Sequence, residues 1–326
     1  MATIVYGGAR FAPLPDETLL DCLLRNEVAA PHSCKSGVCQ SCMMRVRKGQ
    51  VPVASQKGLR DTLRAQGYFL ACMCVPEEDL SVSDVDAQGM RVHAQIAAIE
   101  SLNARVVRVR VRTESTIEHR AGQFVNFVRE DGLVRSYSIA SVPELDEMLD
   151  FHVLHMREGS MSGWLHSSGA LGATIQLQGP SGNCFYVPGT PEQPLLLAGT
   201  GTGLAPLYGI IRDALHQGHA GPIYLFHGSI EPDSLYLVEE LRRLAEENSN
   251  TSYHPCVLRG EQAGVVTEPL DAYVFKVLPS LKGFKVYLCG HPDFVKLMQR
   301  KTFLAGAGLA DIYADAFVTA AAPQTV

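Results

Sequence analysis

The sequence lacks a long uninterrupted apolar segment. Its most apolar stretch, 194–211, is broken by four glycines and a further proline, so it is poor material for a membrane-spanning helix. It also lacks a block of like charges, and its net charge of −6 argues against partners such as nucleic acid or an anionic membrane surface. What is left is globular: 326 residues, 46% of them hydrophobic, can build two or three domains with real cores.

The first residues lack the features of a signal peptide. Residues 1–6 have no charged start and no long apolar run, and they are expected to open as a strand. A chain with nine cysteines and no export signal is expected to be cytoplasmic, where persistent disulfides are rare. Cys22, Cys184 and Cys256 are therefore predicted to be small buried residues.

Four other cysteines have the spacing of iron ligands. Cys34, Cys39 and Cys42 form a C-x4-C-x2-C pattern, and Cys72 stands 30 positions beyond Cys42. This is the plant-type 2Fe-2S pattern, whereas a zinc site more often shows two Cys-x2-Cys pairs. In the same loop Gly37 can adopt a positive φ at no steric cost, which lets backbone N–H groups turn toward the sulfurs. The sequence therefore predicts one-electron chemistry.

Two alternatives remain for these cysteines. Cys74 could replace Cys72 as the fourth ligand, but we prefer Cys72 because plant-type ferredoxins commonly place the last ligand four residues before a proline, here Pro76. The other alternative is that the whole group consists of reduced structural cysteines or of disulfide halves.

Two composition breaks, at 84–89 and 186–194, divide the chain into three predicted domains: 1–89, 90–188 and 189–326. The first mixes short strands with a helix predicted over 19–26. The second is rich in strands, and 105–112 alternates with period two as a barrel strand should. The third alternates apolar runs with helical patterns, which predicts a parallel α/β sheet.

A glycine-rich turn lies in the third domain between a buried strand predicted at 195–198 and a helix predicted to run through Leu215. Residues 199–203, GTGTG, would let a diphosphate approach the backbone and the positive end of the helix. Because this is not the G-x-G-x-x-G fingerprint, a plain tight turn is the alternative.

The second domain contributes Arg135-Ser136-Tyr137-Ser138 and a Gly159-x-x-Ser162 motif. An arginine can bind a phosphate through two hydrogen bonds, a tyrosine ring can lie against a flat cofactor, and serine hydroxyls can bond ring or phosphate atoms. Taken without the neighbouring domains, these residues would be interpreted as a surface arginine followed by ordinary strand residues.

The order of these motifs, completed by 286–290 and 312–317, resembles the ferredoxin–NADP reductase-like electron-transfer proteins that carry an N-terminal plant-type ferredoxin domain. Reductase components of bacterial ring-hydroxylating dioxygenases and diiron monooxygenases, such as the naphthalene, benzoate or methane systems, match best. The resemblance extends to about Phe317. It implies a multidomain fold: an α+β β-grasp ferredoxin domain, an antiparallel β-barrel for FAD and an α/β parallel-sheet domain for the nucleotide.

The resemblance also implies roles in flavin binding. Arg135 would hold an FAD phosphate, Tyr137 would pack on the isoalloxazine, and Ser138 would lie near its reactive nitrogen, with Ser136 in the same motif. Ser162, with the backbone from Gly159 onward, would contact the diphosphate.

For the pyridine nucleotide, the resemblance implies a site made of Gly199, Gly201, Thr202, Gly203, Cys289 and Gly290, the last two lining the nicotinamide. Phe317 would cover the flavin ring until nicotinamide displaces it, although it could instead be a core residue of a final strand. Ser138, Cys289 and Phe317 are then the catalytic candidates, with Cys289 shaping the pocket rather than attacking as a nucleophile.

Three positions depart from the family pattern. Thr200 and Gln40 stand where relatives often have glycine, and Ile230 stands where many carry arginine. Without that cation, and with Glu231 and Asp233 nearby, the pocket is expected to repel a 2′-phosphate, so NADH is preferred over NADPH.

Electron counting completes the expected function. NADH gives up two electrons together, whereas a 2Fe-2S cluster accepts one, so a flavin must stand between them. The sequence predicts an NADH-dependent reductase that uses FAD and a 2Fe-2S cluster to feed single electrons to a terminal oxygenase or hydroxylase component, or to a separate ferredoxin. The alternatives are a reductase of deoxysugar biosynthesis, similar to CDP-6-deoxyglucoseen reductase, and a non-enzymatic iron–sulfur redox sensor.

Overall fold

The computed structural model describes residues 2–32, 35–37, 40, 42–84 and 91–317. The chain forms two compact units, Met1–Gln88 and Gly89–Val326. The second and third predicted domains therefore pack together as one unit, and their exact boundaries at 89 and 188 stay predictions.

The first unit is an α+β fold built on a five-stranded mixed sheet. The strand order is β2-β1-β5-β3-β4, with β1 parallel to β5 and antiparallel pairing elsewhere. The predicted helix is confirmed: Thr18 caps it by accepting a 3.1 Å hydrogen bond from the Asp21 N–H, and its leucines enter the core. The elements are β1 (Ile4–Tyr6), β2 (Ala9–Phe11), α1 (Leu19–Arg25), β3 (Met43–Lys48), α2 (Asp61–Ala65), β4 (Tyr68–Leu70) and β5 (Leu80–Asp84).

The second unit begins with an antiparallel barrel, as predicted. Its strand order is β10-β7-β6-β11-β8-β9, and the backbone N–H of Ala140 donates to the carbonyl of Asp150 at 2.8 Å, which joins the end of β9 to β10 and closes the sheet. The elements are β6 (Arg91–Ser101), β7 (Val106–Thr113), β8 (Phe124–Val128), β9 (Val134–Ser138), β10 (Leu149–Leu154), α3 (Ser160–Leu165) and β11 (Thr174–Ser181).

The predicted barrel strand at 105–112 corresponds to β7, but its alternation does not separate buried from exposed residues. Val109 and Val111 fill the barrel, yet Arg108 on the outer face is also buried. The nucleotide-binding part of the unit covers that face, and the Arg108 guanidinium lies between Asp150 at 3.3 Å and Glu240 at 3.6 Å. Period-two alternation predicts that Arg108 is exposed to solvent. Packing between the two parts of the unit therefore explains why it is buried.

The rest of the second unit is a six-stranded parallel sheet with helices on both faces, which confirms the predicted α/β architecture. The strand order is β15-β14-β13-β12-β16-β17. The elements are β12 (Leu195–Thr200), α4 (Leu204–His216), β13 (Ile223–Ser229), α5 (Val238–Glu247), β14 (Thr251–Val257), β15 (Val266–Thr267), α6 (Leu270–Val277), β16 (Lys285–Gly290), α7 (Pro292–Leu304) and β17 (Ile312–Ala316). After β12 the chain builds the sheet outward through β13, and it later returns to the other side of β12 as β16. The crevice between the carboxyl ends of β12 and β16 is the place where open α/β sheets bind ligands.

Two glycines allow the backbones to meet at this crevice. A Cβ on Gly203 would lie 2.3 Å from the carbonyl oxygen of Cys289, and a Cβ on Gly290 would lie 2.5 Å from that of Thr200. Gly201 is glycine for a different reason, since its φ is +55° and a Cβ there would meet nothing within 4 Å.

No helix in the described part of the chain is long and apolar enough to cross a membrane.

The two turn glycines can be tested separately. Gly203→Ala keeps a favourable helical backbone, with φ −57° and ψ −15°, but pushes a methyl group into Cys289, so we expect it to lower the free energy of unfolding by about 3 kcal/mol. Gly201→Ala meets no neighbouring atom, so we expect only the strain of its positive φ, which should lower the free energy of unfolding by about 1 kcal/mol. Amide hydrogen exchange in α4 and β16 measures both, and equal losses in the two variants would contradict this account of the crevice.

Candidate functional site

The barrel and the parallel sheet meet at a hydrogen bond between a buried serine and a half-buried aspartate. Ser138 ends β9, and its hydroxyl donates to the Asp315 carboxylate in β17 at 3.0 Å. Asp315 in turn pairs in register with Cys289 at the end of β16. The structure therefore brings Ser138 and Cys289, which lie 151 positions apart in the chain, to one end of the crevice.

Cys289 is fully buried, and its Sγ lies 3.8 Å from the Sγ of Cys184. Burial, reinforced by the neighbouring Cys184, raises the pKa of the Cys289 thiol well above its usual value. A thiol that stays protonated is a poor nucleophile, which agrees with the prediction that Cys289 shapes a pocket. Cys22, Cys184 and Cys256 are buried as predicted.

Asp315 is a candidate functional residue to which the sequence analysis assigned no role. Burial raises the pKa of its carboxyl group, and the Ser138 hydroxyl opposes part of that shift. The sequence did contain one signal for Asp315, because this residue lies two positions before Phe317 within the recognised motif at 312–317. What the sequence could not supply was the contact with Ser138.

Phe317 lies just beyond β17, where its backbone N–H donates to the carbonyl of Gly290 at 2.8 Å. This bond attaches the C-terminal aromatic residue to the end of β16. The side chain is only partly buried and is not part of the hydrophobic core, so the alternative of a core residue is not supported.

The Arg-Ser-Tyr motif on β9 presents groups that suit a flavin phosphate and ring. Arg135 and Ser136 are exposed, and no carboxylate within the described ranges pairs with the Arg135 guanidinium. Tyr137 packs edge-on against Phe127, with ring centroids 4.9 Å apart, so its orientation is fixed. The Arg135 guanidinium donates to the carbonyl of Val134 at 2.7 Å. An exposed guanidinium without a carboxylate partner in the described ranges, beside a held aromatic ring, fits the phosphate and the flat ring system of FAD.

Local hydrogen bonds set the conformation of the Gly159-x-x-Ser162 loop. The Ser162 hydroxyl donates to the carbonyl of Gly159 at 3.2 Å and accepts from the N–H of Met156 at 3.1 Å. A Cβ on Gly159 would lie 2.3 Å from that hydroxyl oxygen, so only glycine leaves room for this turn. The contacts expected of Gly159 and Ser162 with a diphosphate stay predictions.

Two of the predicted iron ligands can be located in the first unit. Cys42 and Cys72 are both buried, and the N–H of Ala71 donates to the carbonyl of Cys42 at 3.0 Å, which holds the two segments together at the end of the β3–β4 ladder. Cys34 and Cys39 lie outside the described residues.

The backbone of the predicted ligand loop turns through the left-handed region three times. Lys35 has φ +52°, Gly37 has φ +77° and Gln40 has φ +59°. A positive φ at Gln40 explains why relatives often have glycine there, since a residue with a Cβ is strained in this region. Turn conformations of this kind can form concavities that bind anions, which fits the chemistry of an anionic cluster.

Cys74 belongs to the core of the first unit. It is completely buried, burial raises the pKa of its thiol to about 12, and its carbonyl accepts a 2.7 Å hydrogen bond from the N–H of Leu19 at the start of α1. These contacts give Cys74 a packing role at the start of α1.

At the carboxyl end of β13, the structure adds a cation that the sequence analysis missed. Ile230 is exposed, as expected for a position next to a nucleotide site, and Glu231 forms a 2.9 Å ion pair with Arg259 from the segment after β14. The N–H of Arg259 also donates to the carbonyl of Ile230 at 3.1 Å. The Glu231 carboxylate thus pairs with an arginine that lies beside this position.

Three family models match successive parts of the chain. The model for a 2Fe-2S iron-sulfur cluster binding domain matches residues 7–77, that for an oxidoreductase FAD-binding domain matches 93–186, and that for an oxidoreductase NAD-binding domain matches 197–300. The three matches follow the order of the predicted domains.

Two curated relatives match over nearly their full length. The chain is 31% identical over 310 residues to the ferredoxin–NAD(P)+ reductase component of the naphthalene 1,2-dioxygenase system of Pseudomonas putida, covering 92% of this chain and 93% of that protein. It is 33% identical over 308 residues to the reductase subunit of an aromatic O-demethylase from an Amycolatopsis species, covering 90% and 91%.

The fold is similar to a solved reductase as well. The crystal structure of an Amycolatopsis cytochrome P450 reductase superposes with a TM-score of 0.66 at 28% identity, covering 97% of this chain and 99% of that one. The chain belongs to the ferredoxin–NAD(P)+ reductase-like family of oxidoreductases with an N-terminal 2Fe-2S domain, and its cofactors are a 2Fe-2S cluster, FAD and a nicotinamide nucleotide.

Proposed function

We propose that this oxidoreductase is the NADH-dependent reductase component of an oxygenase system, with a terminal oxygenase or hydroxylase component, or a separate ferredoxin, as its electron acceptor. The observation that carries the proposal is the Ser138–Asp315 hydrogen bond beside Cys289, because it joins the predicted flavin strand to the predicted nicotinamide pocket. The relatives named as reductases of naphthalene and aromatic demethylation systems support an oxygenase as the acceptor.

When bound, FAD would take two electrons from NADH and release them singly to the 2Fe-2S cluster. The protein would supply binding, orientation and proton control. Arg135 would pair with a flavin phosphate, Tyr137 would support the flat ring, and the loop from Gly159 to Ser162 would hold the diphosphate. The residues proposed to receive the nucleotide are Gly199, Gly201, Thr202, Gly203, Cys289 and Gly290, with Phe317 over the flavin face.

Asp315 would hold the Ser138 hydroxyl in place at the reaction site. Its carboxyl group is half-buried and has a raised pKa, and it accepts the hydrogen bond of the Ser138 hydroxyl. In this arrangement the carboxylate orients the hydroxyl and can itself take up a proton that arrives there. This role is available only because the sheet and the barrel are packed against each other.

We further propose that Cys34, Cys39, Cys42 and Cys72 hold the cluster. The position of Cys72 beside Cys42 supports this choice, as does the placement of Cys74 in the core. We also propose a cytoplasmic location, since Cys22, Cys184 and Cys256 are buried thiols rather than disulfide halves.

The function is tested by anaerobic addition of NADH to the cofactor-loaded protein without a partner. We expect both the flavin and the iron–sulfur absorption bands to bleach. An unchanged spectrum would overturn the proposal and favour the redox sensor. Affinity capture from the native host then distinguishes an oxygenase reductase from a reductase of deoxysugar biosynthesis. We expect an oxygenase component or a ferredoxin to be captured, whereas a sugar dehydratase would indicate deoxysugar biosynthesis.

The fourth ligand can be decided with two matched variants. Cys72→Ser should abolish the 2Fe-2S spectrum, because a cluster ligand is lost. Cys74→Ser should keep the spectrum and lower stability by about 1–3 kcal/mol, because a hydroxyl replaces a thiol in the core. Iron and acid-labile sulfide are counted after anaerobic reconstitution, and loss of the cluster from the Cys74 variant alone would reverse the assignment.

In this proposal the nucleotide preference depends on Glu231, because its ion pair occupies the Arg259 guanidinium. Glu231→Gln should release the Arg259 guanidinium and delete a negative charge, and we expect the ratio of kcat/KM for NADPH over NADH to rise by about tenfold. Glu261→Gln is the control, because it deletes an exposed carboxylate two residues beyond Arg259. An equal change in both variants, or none in the first, would contradict a specific role for Glu231.

A further inference from the structure

Helix α4 connects the glycine-rich turn to the barrel. It begins immediately after Gly203, and the side that carries Gly209 lies against the barrel, where a Cβ on Gly209 would be 2.8 Å from the carbonyl oxygen of Ala140. Ala140 follows the flavin strand β9 by two residues. The helix backbone therefore touches the chain segment that leaves the predicted flavin site.

The same helix face ends in a two-pronged ion pair. The two terminal nitrogens of Arg212 donate to the two carboxylate oxygens of Asp146, at 2.8 and 2.9 Å. The pair is largely shielded, with side-chain exposures of 19% for Arg212 and 25% for Asp146. Such a pair fixes orientation as well as distance, because both bonds form only when the guanidinium and carboxylate planes align.

Each partner is held on its own side. The Arg212 guanidinium lies 5.0 Å from the centre of the Tyr208 ring one turn earlier in α4. Asp146 accepts a further hydrogen bond of 2.7 Å from the N–H of Val142, and its own N–H donates to the Val142 carbonyl at 2.9 Å. Arg212 is thereby held on α4, and Asp146 is held in the turn that follows Val142.

The pair links the two halves of the proposed reaction site. Asp146 follows Ser138 by eight residues, and Arg212 follows Gly203 by nine. We propose that Arg212 and Asp146 are positioning residues, which set the register of α4 on the barrel and thereby the separation between the nicotinamide and the flavin. This inference rests on the proposed function.

The physical reason is that hydride transfer is far more sensitive to distance than binding is. A displacement of about 1 Å at the reacting atoms can cost about a hundredfold in rate. The apolar contacts of α4 with the barrel, at Gly209 against Ala121 and Ala140 and at Ile210 against Gly122, prevent closer approach but have no directional bonds to oppose sliding along the barrel. The directional bonds of the ion pair supply that restraint.

The test compares Arg212→Gln, Asp146→Asn and the conservative Arg212→Lys, all in the cofactor-loaded full chain. We expect the neutral variants to slow anaerobic flavin reduction by NADH at least about tenfold. They should also weaken the long-wavelength charge-transfer absorption formed with NAD+ and change the NADH dissociation constant less than about twofold. Arg212→Lys keeps the charge without the planar fork and should be intermediate. The double variant Arg212→Gln/Asp146→Asn should be no slower than either single variant.

The control is Asp271→Asn, which breaks the 2.6 Å Lys301–Asp271 ion pair between α6 and α7, a pair of similar exposure within the nucleotide-binding part. It should lower the melting temperature without changing hydride transfer or charge-transfer absorption. Hydrogen exchange at residues 140–146 should rise only in the Arg212 and Asp146 variants. If those variants are reduced at the wild-type rate, the inference is wrong. If the wild type itself is not reduced by NADH, the proposed function fails instead.

Discussion

The function of the second unit depends on a close backbone contact between the carboxyl ends of β12 and β16. Gly203 and Gly290 permit that contact, because a side chain at either would overlap a carbonyl oxygen of the other strand. The approach joins the ends of β12 and β16, and the pairing of β16 with β17 sets Cys289 and Asp315 side by side. Ser138 of the barrel reaches Asp315, so the close approach of β12 to β16 and the β16–β17 pairing together place the groups expected to handle flavin and nicotinamide.

The interface between the barrel and the parallel sheet contains polar contacts in two places. One is the proposed reaction site, and the other is the contact of α4 with the barrel. Ser138–Asp315 and Arg212–Asp146 are paired contacts across this interface between side chains that are at least partly buried, and Arg108 of the barrel lies 3.6 Å from Glu240 of α5. Buried charges are costly unless they are paired in good geometry, so such contacts specify one arrangement of the two parts more than they add stability. A reductase that must hold two cofactors at a set separation gains from that specificity.

Local sequence patterns predicted much of the fold. They could not predict contacts between residues that lie far apart in the chain. Cysteine spacing, the period-two strand at 105–112 and the strand–glycine turn–helix at 195–215 are signals over short stretches. They predicted the fold class, and they supplied candidate site residues whose roles stay predictions. Asp315, Arg259 and the Arg212–Asp146 pair were missed because each acquires its role from a partner far away in sequence. Arg108 was buried against expectation for the same reason.

The most direct measurement is a crystal structure of the FAD-loaded protein with NAD+. The account predicts the isoalloxazine against Tyr137 with the Ser138 hydroxyl at its edge, and the nicotinamide at the carboxyl ends of β12 and β16, lined by Cys289 and Gly290. A flavin bound away from Ser138, or a nucleotide that enters elsewhere than between β12 and β16, would contradict the claim that these two strand ends and the barrel form one site.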